Sequence, residues 1–76
     1  MAGHRFEGFI KISSDHIDGV KYDAAERKMT VRFRNGYQYL VHGVPREEVQ
    51  AFMGASSHGE HYHKFIKDRY PVERVR

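Results

Sequence analysis

Apolar and polar side chains alternate on both sides of Asn35-Gly36 in the stretch Thr30 to His42, TVRFRNGYQYLVH. Asn and Gly tolerate the positive φ that a tight turn demands, so this pattern predicts a hairpin with strands Lys28 to Phe33 and Tyr37 to His42. Ile17, Val20 and Tyr22 mark an earlier strand near Ile17 to Asp23, bent or bulged at Gly19. The polar run Asp23-Ala24-Ala25-Glu26-Arg27-Lys28 then makes a loop or a single helical turn. Upstream, Phe6, Phe9, Ile10 and Ile12 break strict alternation, which predicts an irregular strand or an arm over residues 1–12. Ser13-Ser14-Asp15 is turn chemistry, because short polar side chains bond nearby backbone groups.

After Gly43-Val44-Pro45 the apolar spacing changes from two to that of a helix. Pro45 suits a helix start and Glu47 and Glu48 complement its positive dipole end. Val49, Phe52 and Met53 form one stripe, and Gly54 stops it. Ala55 to Gly59 reads as a loop. A second helix is predicted from about Glu60 to Tyr70, with Tyr62, Phe65, Ile66 and Tyr70 on one side and an i, i+4 pair Glu60–Lys64 on the other. Pro71 ends it, leaving residues 71–76 as a charged tail that frays. The expected fold is α+β, a three-stranded antiparallel meander with two C-terminal helices packed on one face.

Hairpin register decides which side chains the sheet offers, because a slip of one residue sends every side chain to the opposite face. With Asn35-Gly36 as a two-residue turn, Arg34 faces Tyr37 and Arg32 faces Tyr39, giving a basic aromatic platform opposite Val31 and Phe33. With Arg34-Asn35-Gly36 as a three-residue loop and a bulge at Gly36, Phe33 faces Tyr37, Val31 faces Tyr39 and Met29 faces Val41. Burial of apolar surface favours the second register and the bare Asn-Gly dipeptide the first. Both leave Arg32 and Arg34 opposite Val31 and Phe33.

Composition narrows the class. A chain of 76 residues is one small domain, and at this size folding buries only about 60% of the unfolded surface. Without cysteine it has no disulfide to supplement that core. No apolar run approaches the ~20 residues of a membrane span, and His4, Arg5 and Glu7 interrupt any signal-like stretch, so a soluble cytoplasmic protein with no membrane partner is expected. The net charge of +3 comes from an excess at Arg32 and Arg34 and at the C-terminal Lys64, Lys67, Arg69, Arg74 and Arg76, set against Asp68 and Glu73 and partly offset by Glu47 and Glu48. Two basic segments converging on one patch favour an anionic partner; solvated surface charge is the plainer alternative.

The ordered series Ser13-Ser14-x-x-Ile17-x-x-Val20-x-Tyr22-Asp23, Met29-x-Val31-x-Phe33-x-Asn35-Gly36, Val44-Pro45 and Ser57-x-Gly59-x-x-Tyr62, ending at Ile66 and Tyr70, resembles the KTSC domain. That module occurs at the C-terminus of some lysyl-tRNA synthetases and as a small stand-alone protein, and the likeness covers residues 13–70. The resemblance implies RNA binding, suggested by the company of a synthetase. The family's Tyr-x-Tyr, counted back from Val44-Pro45, falls on Tyr39 and Val41, whereas the literal Tyr37-Gln38-Tyr39 is displaced by two residues and keeps the same face. Its aromatic pair after the glycine corresponds to His61 and Tyr62, and the following Asn to His63.

The candidate chemistry is binding rather than catalysis. Arg32, Arg34, Lys64 and Lys67 would neutralise phosphates, and Tyr37 or Tyr39 would stack on a base if the two-residue turn holds. Ser57, His58, Gly59, His61 and His63 gather at the start of the second helix. A hydroxyl and free N–H groups there suit an anion, while Ser57 with Glu60 equally forms a capping box that uses the same donors. His61 and His63 point apart on a helix, so the imidazoles converge on a metal only if that helix starts late, and neither metal nor cofactor is expected. Ser14, Asp15 and His16 are merely adjacent in sequence and no Gly-rich phosphate loop is present. The leading reading is a non-enzymatic module for a phosphate-bearing nucleotide ligand, most simply RNA. Its alternatives are an oligomeric sponge that sequesters a nucleotide-derived signalling molecule, as viral anti-defence proteins do, and a histidine-based phosphodiesterase. If the arm does not fold back, Phe6 and Phe9 supply a homo-oligomer contact, or with Leu40 a surface for a protein partner.

Overall fold

The structure, a computed structural model, describes residues 9–12 and 14–76. Five strands form one antiparallel meander in chain order: β1 (Ile10–Lys11), β2 (Ile17–Asp23), β3 (Lys28–Phe33), β4 (Gln38–His42) and β5 (Val72–Arg74). Between β4 and β5 lie α1 (Arg46–Met53) and α2 (His58–His61), the latter running directly into a π-helical turn over Tyr62–Ile66.

The hairpin takes the bulged register. Val31 pairs with Tyr39 and Met29 with Val41. Phe33 N–H donates to the Tyr37 carbonyl at 2.8 Å, closing a loop of Arg34, Asn35 and Gly36. Gly36 adopts φ +97°, a value that disfavours a side chain, and the Asn35 Oδ1 accepts from Tyr37 N–H at 3.0 Å. The basic aromatic platform of the two-residue turn is therefore not formed: Tyr37 and Tyr39 share a face with Val31 and Phe33, and Arg32 lies on the other. Packing decided it, since this register buries Met29, Val31 and Val41 completely.

The expected three-stranded meander is corrected to five strands. The outer edges of β2 and β4 would otherwise present unpaired N–H and C=O groups. Ile10–Lys11 satisfies the first, pairing Ile10 with Val20 and Lys11 with Gly19. The presumed fraying tail satisfies the second, pairing Val72 with Val41 and Arg74 with Tyr39. Alternation lets this charged segment serve as a strand: Val72 packs against the core and Glu73 turns to the open face, where it meets His42 at 2.8 Å. The second helix also begins earlier and ends earlier than the periodicity predicts, stopping its regular turns at Ile66.

Ile12, Ile17, Val20, Met29, Val31, Val41, Val44, Phe52, Tyr62 and Ile66 form one buried cluster, so both helices cover the same sheet face. Pro45 caps α1 rather than opening it. Glu48 of α1 ties the helical layer together, taking the His61 Nε2 at 3.0 Å and the Tyr70 hydroxyl at 3.3 Å. Phe65, expected on the apolar side, is exposed. On the open face Gly19, in the irregularity between Ile17 and Gly19, admits Phe9: a Cβ there would stand 3.0 Å from the Phe9 Cβ. Phe9 thus folds back on its own sheet, while Phe6 lies outside the described residues.

Candidate functional site

The wide edge of the helical layer leaves a cleft of about 490 Å³ between the hairpin end, the π turn and β5. Phe33, Tyr39 and Tyr62 form its apolar wall. Phe33 meets Tyr39 edge-on at 5.5 Å between ring centroids and Tyr62 likewise at 5.5 Å, the arrangement that opposite ring edges and faces favour. Tyr37 overhangs from the loop and is 43% exposed, far more than a structural aromatic needs. Asn35, His63, Lys67 and Asp68 form the polar rim.

Local backbone places these groups. The π turn closes with Lys67 N–H donating to the Tyr62 carbonyl at 2.8 Å, five residues back, and such wide turns recur at functional sites. Tyr62 and Ile66, four apart, face the core. His63 and Lys67, also four apart, follow them on the cleft side. Across the sheet, the bulged register aims Tyr37 and Tyr39 toward this turn, and β5 brings Arg74 over the Tyr37 ring at 4.3 Å from its centroid.

Burial, with the neighbouring Tyr39 second, pushes the Tyr62 hydroxyl pKa up to about 12, so it remains a neutral donor at physiological pH. The Tyr70 hydroxyl is also raised, first by burial and then by the charge and hydrogen bond of Glu48.

Of the residues singled out from sequence, the cleft unites Tyr37, Tyr39, His63 and Lys67. The others lie elsewhere. Arg32 is on the open face, bonded to Asp18 at 3.0 Å and stacked over Phe9 at 4.3 Å. Arg34 donates to the Ser14 carbonyl at 2.7 Å. Ser57 accepts from Glu60 N–H as a helix cap, and His58 meets the Met53 carbonyl at 3.3 Å. Gly59 sits against His16, lining with Ser57 and His58 a separate polar recess of about 350 Å³. His61 is held by Glu48, and Lys64 by Glu60 at 3.8 Å. Among the described residues no group of three or more His, Cys, Asp or Glu is placed to hold a metal ion, and no helix is long and apolar enough to cross a membrane.

Sequence reasoning missed Asn35, Tyr62, Asp68 and Arg74 as site residues. Asn35 was absorbed by its turn and Tyr62 by its helical stripe. Arg74 had a faint signal in Val72-Glu73-Arg74, three alternating residues after a proline, which is too short to distinguish from a tail.

Comparison with known proteins matches the KTSC domain to residues 13–70. A protein of Tsukamurella paurometabola is 32% identical over 59 residues, covering 78% of this chain and 88% of that one. A lysine–tRNA ligase of Trichormus variabilis is 27% identical over 66 residues, or 87% of this chain, which corresponds to only 12% of the ligase. The crystal structure of a KTSC domain protein from Yersinia pestis superposes with a TM-score of 0.84 at 30% identity, covering 91% of this chain and 97% of that one.

Proposed function

The chain belongs to the KTSC domain family, and from that premise we propose that it is a non-enzymatic binding module for nucleotides, most simply those of single-stranded RNA. The observation that carries this reading is the aromatic-walled cleft with Lys67 and His63 on its rim and Arg74 beside it. An open π-surface next to cations is what a base and its phosphate require, and stacking on one aromatic ring is worth about 1–3 kcal/mol per base. A duplex offers no such unstacked face, so single strands are the better substrate. The ligase relative in which a similar segment accompanies an enzyme named for tRNA points the same way. The cleft's size, about 490 Å³, also lies within the roughly 300–1,000 Å³ of small-molecule sites, which keeps a free nucleotide-derived messenger as the second reading.

Fluorescence anisotropy with a labelled single-stranded dodecamer tests the first reading. Affinity should fall with salt with a slope near −0.7 for each phosphate neutralised. Tyr39→Ala should weaken binding through lost stacking. Affinity that is the same at low and high salt, or that is indifferent to Tyr39, overturns it.

A further inference from the structure

Asp68 stands on the rim of this cleft beside Lys67 and is the carboxylate among the described residues that lines it. Like the surface Asp15, Glu26 and Glu47, and unlike Asp18, Glu48, Glu60 and Glu73, it makes no ion pair or side-chain hydrogen bond among the described residues. A free carboxylate repels phosphate, so it opposes binding unless the ligand brings donors to it. Resting on the nucleotide reading above, we propose that Asp68 selects guanine, its two oxygens accepting from the adjacent N1–H and N2–H₂ of the base while the ring stacks on the cleft's tyrosines.

The chemistry is restrictive. An ionised carboxylate is acceptor-only and accepts two donors side by side. Guanine alone among the four bases offers two neighbouring donors on its pairing edge. Adenine and cytosine set a ring acceptor beside their amino group, and uracil flanks its single N–H with two carbonyl oxygens, each of which would meet the carboxylate with like partial charge. Asn35 suits the same ligand: its Oδ1 is engaged by Tyr37 N–H, which leaves its amide NH₂ as the free end on the cleft rim, a donor for a carbonyl or phosphate oxygen.

The test uses labelled heptauridine carrying one central guanosine, adenosine, cytidine or inosine, measured by anisotropy against the wild type, Asp68→Asn and Asp68→Glu. Guanosine should bind about fivefold to tenfold tighter than adenosine or cytidine, the low end for a bidentate contact because Asp68 is exposed. Inosine, which lacks the N2 amino group, should fall between. Asp68→Asn should erase the ranking and Asp68→Glu should retain it. Equal affinity for all four probes overturns base selection while leaving RNA binding intact. An Asp68→Asn variant that tightens every probe without changing their order shows simple charge repulsion and also overturns it. Failure of every probe to bind overturns both this selection and the RNA reading.

Discussion

Replacing Arg32 with alanine should destabilise the fold and leave RNA binding alone, whereas Lys67→Ala should do the reverse. Arg32 gives its Nε to Asp18 at 3.0 Å with side-chain exposures of 34% and 31%, and its guanidinium covers the Phe9 ring. A partly exposed ion pair contributes about 0.2–1 kcal/mol and an exposed cation–π contact about 0.5–1 kcal/mol. Together the loss is about 1–2 kcal/mol, which for a domain this small lowers Tm by about 4–15 °C. The deficit should shrink in high salt, where the ion-pair part is screened. Because β3 alternates, Arg32 projects from the face opposite Phe33 and hence away from the cleft. Affinity for a single-stranded dodecamer should therefore stay within about twofold, while Lys67→Ala lowers it and reduces the salt slope by about 0.7 with little change in Tm. Circular dichroism melts and anisotropy titrations on the two variants make the comparison. If Arg32→Ala weakens RNA binding as much as Lys67→Ala and leaves Tm unchanged, the assignment of the two sheet faces is wrong.

Alkaline pH should expose the burial of Tyr62. Its pKa rises from 10.0 to about 12 on folding, so the stabilisation is complete below pH 10 and is lost as pH climbs toward 12, where the unfolded chain ionises first. Discounted for solvent entering the open cleft, the wild type should lose about 1 kcal/mol more than Tyr62→Phe between pH 8 and pH 11, read from urea midpoints, and equal losses would contradict this. Gly19→Ala would set a Cβ 3.0 Å from the Phe9 Cβ and 3.3 Å from the Ile10 carbonyl, atoms on or next to the backbone. Displacing β1 should cost about 1–3 kcal/mol and strip hydrogen-exchange protection from Ile12, whose N–H is bonded to the Asp18 carbonyl, while the β3–β4 amides keep theirs; undisturbed Ile12 protection would refute the close approach.

Much of the middle of the chain was legible because local pattern and burial agree there. Ile17–Asp23 and Lys28–Phe33 form the strands their alternation predicts, the Gly19 irregularity is present, and Ser57 caps as its spacing with Glu60 suggests. The edges were half legible: the irregular strand expected within residues 1–12 is present as Ile10–Lys11, but its pairing, and the three-residue β5 read as a tail, exist because neighbouring strands need partners, a demand no local window records. Half the site was lost for a related reason. Cations were assigned by type, but whether a cation is available depends on its neighbours: Arg32 is taken by Asp18, a pair set by the bulge, whereas the Glu60–Lys64 pair was readable from its i, i+4 spacing. Lys67 has no such pairing among the described residues.

The pleat and the π turn together explain how this small sheet can fold and still leave a cleft open. Each strand gives one face to structure, and on the open face Arg32 is turned to Asp18 and His42 to Glu73, while Lys21 and Lys28 carry no ion pair among the described residues. On the covered face the helical layer fills the space over Val20, Met29, Val31 and Val41, but its wide turn ends the regular helix at Ile66 before the layer reaches the hairpin end. Phe33, Tyr37 and Tyr39 are left with one side packed and one side open. Filling that gap with one more helical turn would bury more apolar surface and raise stability, and it would also remove the cleft. An unfilled aromatic gap in a domain with so small a core costs stability, and a ligand that stacks there recovers the lost contact area. Ligand binding should therefore raise Tm by the usual linkage, and by more for a nucleotide whose base stacks than for inorganic phosphate at the same free concentration. Equal shifts for the two would place the binding energy in the cations and leave the tyrosines without a role.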